Sequence, residues 1–386
     1  MQARNPDLPN SPIVCVVGAR PNFMKIAPIY RALSGMSRPV PKRLVHTGQH
    51  YGPDMESQYF QALGIPAPDI NLEVGSASHA LQTAEIMRRF EPVLDREQAA
   101  AVLVVGDVNS TLACALVAVK KGIPVIHVEA GLRSFDRAMP EEINRVLTDQ
   151  ISALMFTTEK SARPNLLREG IAPERIHFVG NVMIDTLHHS LQQAIDAART
   201  LRQYGAPAEW AKQGYAVLTL HRPSNVDDPD ALNAMLSAIR EVSLRLPVVF
   251  PVHPRTRARI EQYRLGDILK SESVLALPPM GYLEMLGLMR SAKMVLTDSG
   301  GIQEETTALG IPCVTLRDST ERPITVEEGT NTLAGHDPAR ILDACDDILR
   351  TGGKAGKIPE LWDGRASQRI AAVLCAWLDR GITERG

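Results

Sequence analysis

Three short stretches put a carboxylate where an apolar run gives way to a turn. They are GDVNST with Asp107, HVEAGLRS with Glu129, and MPEEINR, where Glu141 follows Pro140 directly. A carboxylate at the end of a buried strand rarely serves stability; in an open α/β sheet that position faces the ligand crevice. Three acids converging there can move protons on a bound ligand. Plainer roles stay open. Asp107 can cap a helix starting near Asn109, and Glu141 can be a first-turn partner of the helix dipole. His127 and Glu129 alternate on one strand face, which suits a metal, and H-x-E also occurs in zinc deaminases. Their second motif, P-C-x-x-C, is not in the sequence, so no metal is expected.

Two other stretches read as anion sites. In VVGARPNFMK a strand ends at Gly18, the chain turns, and a helix starts near Asn22, with Arg20 and Lys25 close by. Helix starts expose free N–H groups and a positive dipole end. The alternative is a plain strand–helix turn carrying two solvated bases. In VLTDSGGIQEETTALG, Ser299, Gly300 and Gly301 leave the backbone open to phosphate oxygens, because glycine has no Cβ. Glu304 then faces ribose hydroxyls, or else serves as an ordinary N-terminal carboxylate. The sequence has no G-x-G-x-x-G and no G-x-x-x-x-G-K-[ST]. His221 and Arg222 in LTLHRPSN, and His253 in FPVHPRT, follow apolar runs directly. A strand-end histidine is often only a scaffold; two in corresponding positions, one beside an arginine, favour ligand contact.

Elements that position these residues are legible as alternation. Apolar runs at 13–18, 43–46, 101–106, 124–129, 154–157 and 176–179 alternate with amphipathic stretches at 24–33, 81–94 and 111–120. A second set has runs at 216–219, 248–252, 274–277, 294–297 and 313–316, with helical patterns at 229–246, 281–289 and 302–309. Such alternation predicts parallel sheets covered on both faces. The class is therefore α/β, with two doubly wound, Rossmann-like domains pooling their strand ends in one cleft. The first domain is read as 1–184 and the second as 185–365, with a helix in 366–386 returning to the first. A long helical stretch is expected over 188–204 and a mobile Gly/Lys-rich loop over 351–357.

Composition narrows the class. The chain has 386 residues, 44% apolar and 22% charged, with a formal net charge of −2. Bulk binding to nucleic acid or to an anionic membrane is not expected. The polar, Pro-rich start MQARNPDLPNSP has no signal-peptide core, and no apolar run has the length of a membrane span. Cys15, Cys114, Cys313, Cys345 and Cys375 are scattered, three of them in apolar runs, as expected for reduced thiols in the cytoplasm.

Taken together, GARPNFMK, HTGQH, GDVNSTLA, HVEAGLRS, PEEINR, LTLHR, LTDSGGIQEE and TERPITVEEGTN resemble the non-hydrolysing UDP-N-acetylglucosamine 2-epimerase family in order and spacing, from about Ile13 to Gly335. The resemblance implies a glycosyltransferase-B type fold, a UDP-sugar substrate, no cofactor and commonly a homodimer. It implies an anti elimination of UDP through a 2-acetamidoglycal, followed by re-addition after reprotonation of C2. Asp107, Glu129 and Glu141 match the family's acids and His221 its active-site histidine. Arg20, Lys25, Ser299, Gly300, Gly301 and Glu304 match its UDP contacts. Further substrate contacts are expected from His50, Arg145, Arg222, His253, Met285 and Arg322. Many bacterial members have R-P-E where this chain has Arg20-Pro21-Asn22, and carry a further Arg and Gln around the position of His50. Those residues help bind a second, activating UDP-N-acetylglucosamine there, and the resemblance does not carry that site over. The pattern HTGQHYG, GDVNSTLA and HVEAGLRSFDRAMPEEINR also resembles relatives acting on UDP-2,3-diacetamido-2,3-dideoxyglucuronic acid.

Overall fold

The structure, a computed structural model, describes residues 11–37, 39–48, 60 and 63–383. The chain divides into two compact units, Met1–Thr186 with Glu360–Gly386, and Leu187–Pro359.

The first unit runs β1 (Ile13–Val17), α1 (Arg20–Ser34), β2 (Lys42–His46), β3 (Ile70–Asn71), α2 (His79–Glu97), β4 (Ala101–Val105) and α3 (Asn109–Lys120). It continues with β5 (Val125–Val128), α4 (Pro140–Ile151), β6 (Leu154–Thr157), α5 (Ala162–Arg168), β7 (Ile176–Phe178) and the start of α6 (Val182–Leu191). Its strands pair in the order β3-β2-β1-β4-β5-β6-β7, all parallel. IVCVV of β1 and AVLVV of β4 are buried throughout, as central strands with both faces covered must be. The order reverses between β1 and β4, so the loops after those strands diverge and leave a crevice at their carboxyl ends.

The second unit holds α7 (Ala197–Gln203), α8 (Trp210–Gln213), β8 (Ala216–Thr219), α9 (Pro223–Val226), α10 (Pro229–Ser243), β9 (Val248–Pro251), α11 (Pro254–Gln262) and β10 (Val274–Leu277). Then come α12 (Tyr282–Arg290), β11 (Met294–Thr297), α13 (Gly300–Leu309), β12 (Cys313–Thr315), α14 (Pro323–Glu327), β13 (Asn331–Leu333) and α15 (Pro338–Thr351). This sheet is also all parallel, in the order β10-β9-β8-β11-β12-β13, and reverses between β8 and β11. Leu218, Leu236, Phe250 and Leu296 belong to its core.

The last helix, α16 (Ala366–Thr383), belongs to the first unit, as does the segment from Glu360 that leads into it. Asp185 accepts from the backbone N–H groups of Ala366 (3.0 Å) and Ser367 (2.7 Å) at its start. The buried Trp362 donates from Nε1 to the Thr158 carbonyl at 3.0 Å. Gly180, at φ +87°, lets the chain pass, because a Cβ there would lie 2.1 Å from the Leu361 oxygen.

One expectation changes. The stretch 188–204 is not one helix. α6 ends at Leu191 and α7 starts after Asp196, whose carboxylate accepts from Arg199 N–H at 3.2 Å. Ile195 N–H in the break donates to Leu283 O of α12 at 3.0 Å, so a tertiary bond replaces helix continuation. The short strands β3 and β13 carry too few residues to show a pattern in the sequence. The loop after α15 is tied down at Lys357, whose N–H donates to Glu328 O at 2.7 Å.

Candidate active site

In the first unit the turn after β1 is filled by its own side chain. Asn22 Oδ1 accepts from the N–H groups of Gly18 (3.2 Å) and Ala19 (2.9 Å), and its Nδ2 donates to Val105 O at 3.0 Å. These bonds fasten the end of β1 to the end of β4 across the order reversal. Arg20 opens α1, but its side chain lies outside the described residues, as does all of His50.

Lys25 points inward from α1. Its Nζ lies 2.5 Å from Glu129 Oε2, and both side chains are buried. Lys25, a candidate diphosphate contact, is also the counter-ion of a candidate acid. Gly106 gives it room: φ is +68°, and a Cβ would stand 2.9 Å from Nζ. Glu129 itself sits at φ +72°, a left-handed conformation that costs a non-glycine residue about 1 kcal/mol or more. Glu129 lies beyond the end of β5, so the strand alternation with His127 stops short of it. The His127 ring is fully buried, with Nδ1 2.7 Å from Asp149 Oδ1 and Nε2 2.9 Å from the Gly106 carbonyl. Asp149 also accepts from Gly131 N–H and from Arg133 Nη2. His127 is therefore a brace between the loops that carry Asp107 and Glu129. Among the described residues no group of three His, Cys, Asp or Glu side chains is arranged to hold a metal ion.

Asp107 does not cap α3, whose N-cap is Val108. Its carboxylate is 2.6 Å from Arg145 Nη2, and the same guanidinium reaches Glu142 Oε2 at 2.8 Å through Nη1. Burial alone would raise the Glu142 carboxyl. Bonds from Ser134 and Phe135 N–H and from Arg145 more than offset that and hold it below its ordinary value. Arg145 is thus a fork between the Asp107 loop and the start of α4. Asn144 adds a second tie, Nδ2 to Asp107 O at 2.8 Å. Glu141, half-buried in the first turn of α4, has no hydrogen-bond or ion-pair partner among the described residues.

In the second unit the order reversal brings the ends of β8 and β11 together. There His221 Nδ1 lies 2.7 Å from Asp298 Oδ1. Asp298 is fully buried, and its Oδ2 accepts from the N–H groups of His221 (2.9 Å) and Arg222 (2.8 Å). Burial would raise this carboxyl; the His221 ring and the two N–H donors hold it below its ordinary value. His221 is thereby oriented with Nδ1 inward and keeps 38% of its side-chain surface exposed. Its ring stands 5.6 Å from that of His253, whose Nδ1 accepts from Arg255 N–H at 3.2 Å. Asp298 was not singled out from the sequence, although the strand-end rule that marks Asp107 applies to it equally.

Around the start of α13, Arg222, Arg317 and Arg322 surround Glu321 and Glu304. Arg317 Nη2 is 2.7 Å and Arg322 Nη1 2.6 Å from Glu321, and Arg222 Nη2 is 3.5 Å away. Arg322 Nε also lies 2.8 Å from Glu304, which is only 1% exposed. Burial opposes ionisation of Glu321, but the three guanidiniums hold its carboxyl far below the usual range. Gly300, the candidate for close phosphate approach, also leaves room for this cluster. A Cβ there would lie 2.7 Å from Arg322 Nη1 and 2.9 Å from Glu321 Oε1. Ser299 is the N-cap of α13 and makes no side-chain cap bond, Gly301 lies in its first turn, and Met285 is half-buried on α12.

Two doubly wound units, each with its polar residues gathered at the strand-order reversal, define an α/β protein of the nucleotide-binding type. The UDP-N-acetylglucosamine 2-epimerase family model matches residues 36–375. The chain is 41% identical over 355 residues to the UDP-N-acetylglucosamine 2-epimerase of Methanococcus maripaludis, covering 89% of this chain and 95% of that one. It is also 41% identical over 367 residues to the UDP-2,3-diacetamido-2,3-dideoxy-D-glucuronate 2-epimerase of Pseudomonas aeruginosa, covering 94% and 99%. The structure is similar to Methanocaldococcus jannaschii UDP-GlcNAc 2-epimerase in complex with UDP-GlcNAc and UDP, with a TM-score of 0.83, 40% identity and coverage of 94% and 99%. The chain belongs to the UDP-N-acetylglucosamine 2-epimerase family, whose members are isomerases.

Proposed function

We propose that this protein interconverts UDP-GlcNAc and UDP-ManNAc without hydrolysis. The observation that carries the reading is the set of carboxylates in the first unit: Asp107 held by Arg145, Glu129 held by Lys25, and Glu141 left without a described partner. Simple transfer of a sugar to an acceptor does not need three acids. The C2 proton is not acidic, because no carbonyl adjoins C2. A carboxylate base takes that proton while the C1–O bond breaks and its electron pair leaves with UDP, forming the C1=C2 bond of the glycal. An acid then delivers a proton to the other face of C2 as a UDP oxygen adds back to C1. One carboxylate cannot readily serve both faces, so at least two of the three take part.

His221, held by Asp298, is read as part of the same machinery, with Arg20, Lys25, Arg222, His253, Met285, Ser299, Gly300, Gly301, Glu304 and Arg322 as the UDP-sugar contacts. The test is proton NMR of the protein with UDP-GlcNAc in heavy water and no acceptor. Epimerised product must carry deuterium at C2 and appear without free N-acetylmannosamine. Product lacking deuterium, or release of the free sugar, refutes the mechanism.

A second substrate, UDP-2,3-diacetamido-2,3-dideoxyglucuronic acid, is favoured by the equal identity of the Pseudomonas relative and belongs in the same assay. The same reading makes the enzyme a cytoplasmic homodimer that supplies polysaccharide precursors. Exposed Ile143 and Leu147 on α4, with Ile143 lining a groove of about 380 Å³, support the dimer, and light scattering tests it.

A further inference from the structure

Behind the His221–Asp298 pair stands a second histidine. His336 lies in the turn between β13 and α15, one third exposed. Its Nδ1 is 2.9 Å from Asp318 Oδ2 and its Nε2 is 2.6 Å from Asn225 Oδ1. Gly335 makes the first contact possible: it adopts φ +72°, and a Cβ would stand 2.6 Å from Asp318 Oδ1. Asn225 is fully buried. Its Nδ2 donates to Asp298 Oδ2 at 3.2 Å and to the Leu316 carbonyl at 3.0 Å. Both of those partners can only accept, so the amide orientation is fixed and its oxygen faces His336. Nε2 must then donate to Asn225, while Nδ1 faces a carboxylate.

We propose that His336 is a positioning residue for His221, acting through Asn225 and Asp298. The Nε2–H bond from His336 polarises the Asn225 amide, which strengthens its N–H bond to Asp298. Asp298, held from that side and by two backbone N–H groups, keeps Oδ1 on His221 Nδ1. His221 therefore stays in the Nδ1–H form, with Nε2 turned away from Asp298 and available to substrate. The series Asp318, His336, Asn225, Asp298, His221 crosses the second unit from its surface to the strand-order reversal. Two other charged groups flank this turn: Asp337, whose Oδ1 accepts from Ala339 N–H at 2.9 Å, and Arg340, whose guanidinium donates to Leu333 O.

The inference rests on reading His221 as an active-site group, but its spectroscopic arm does not depend on turnover. Histidine-labelled full-length protein is examined by nitrogen and proton NMR, alongside epimerisation kinetics. Wild type is expected to show a hydrogen-bonded His336 Nε2–H and a hydrogen-bonded His221 Nδ1–H. In His336→Leu the His221 Nδ1–H signal broadens or is lost, and kcat falls about ten-fold while KM stays within about two-fold. His336→Gln, whose amide can still donate to Asn225, restores the signal and most of the rate. Asp318→Asn changes a side chain that is 73% exposed and should leave folding intact; it reduces kcat by about three-fold. An unchanged His221 signal in His336→Leu overturns the proposal. So does an equal loss of rate and melting temperature in the Leu and Gln variants. If the Leu variant does not fold, wild-type rate and His221 signal in Asp318→Asn overturn it. Absence of epimerisation in wild type, with the NMR changes present, would refute the substrate reading and leave the positioning intact.

Discussion

Lys25 Nζ and Glu129 Oε2 stand 2.5 Å apart, with both side chains buried and the glutamate backbone held at φ +72°. Removing one partner of such a pair leaves a charge in a low-dielectric site and costs about 3–5 kcal/mol. Lys25→Met should therefore lower thermal stability as well as activity. Lys25→Met combined with Glu129→Leu should recover part of the stability and none of the turnover. Calorimetric melting of the four proteins in this cycle checks it; independent, additive effects would show that the two groups are not coupled.

Arg145 joins Asp107 to Glu142 through two different guanidinium nitrogens. A lysine keeps the charge but cannot bridge two carboxylates in one plane. Arg145→Lys is expected to lower kcat by at least about ten-fold with UDP affinity little changed. Titration calorimetry with UDP beside steady-state kinetics separates the two effects. A matched loss of UDP affinity would make Arg145 a nucleotide contact instead.

Space at Gly300 is taken by Arg322 and Glu321, within 3 Å of where a Cβ would stand. Gly300→Ala should push this ion pair out of place and weaken UDP binding by about ten-fold or more, even though the substitution adds one methyl group. Unchanged UDP affinity in a folded Gly300→Ala variant would detach the arginine cluster from nucleotide binding.

Acid stability should depend on Asp149. Burial would raise its carboxyl, but His127 and Arg133 hold it below its ordinary value of 3.8. A depressed folded value contributes stability that is fully present above 3.8 and lost as pH falls from there through the folded value. Asp149→Asn should therefore flatten the fall in melting temperature below about pH 4 while lowering it at pH 7. Melting curves across that range in both proteins decide it; parallel curves would remove Asp149 from the acid transition.

Local chemistry made much of the architecture legible. Buried parallel strands such as AVLVV need apolar residues on both faces, so they stand out as runs. Asp107, Glu129, His221 and the Ser299–Gly301 turn were visible because each follows such a run directly. β3 and β13 escaped because two or three residues set no period. The break between α6 and α7 escaped because Leu283, far along the chain, satisfies the backbone there.

Partnership was decided by the tertiary structure. Lys25 and Arg322 carry the same charge whether they meet phosphate or carboxylate; only the fold, which brings the turn after β5 to Lys25 and α13 beside the Arg317–Arg322 loop, gives them Glu129, Glu304 and Glu321. Asp298 reaches the His221 backbone across 77 positions, and His336 reaches Asn225 across 111. A hydrogen bond needs atoms within about 3 Å and aligned, a condition that sequence spacing over such distances does not encode. The apolar pattern fixes where the strands end. Which polar side chains then meet depends on the order in which the sheet lays those ends side by side, and here that order reverses between β1 and β4 and between β8 and β11.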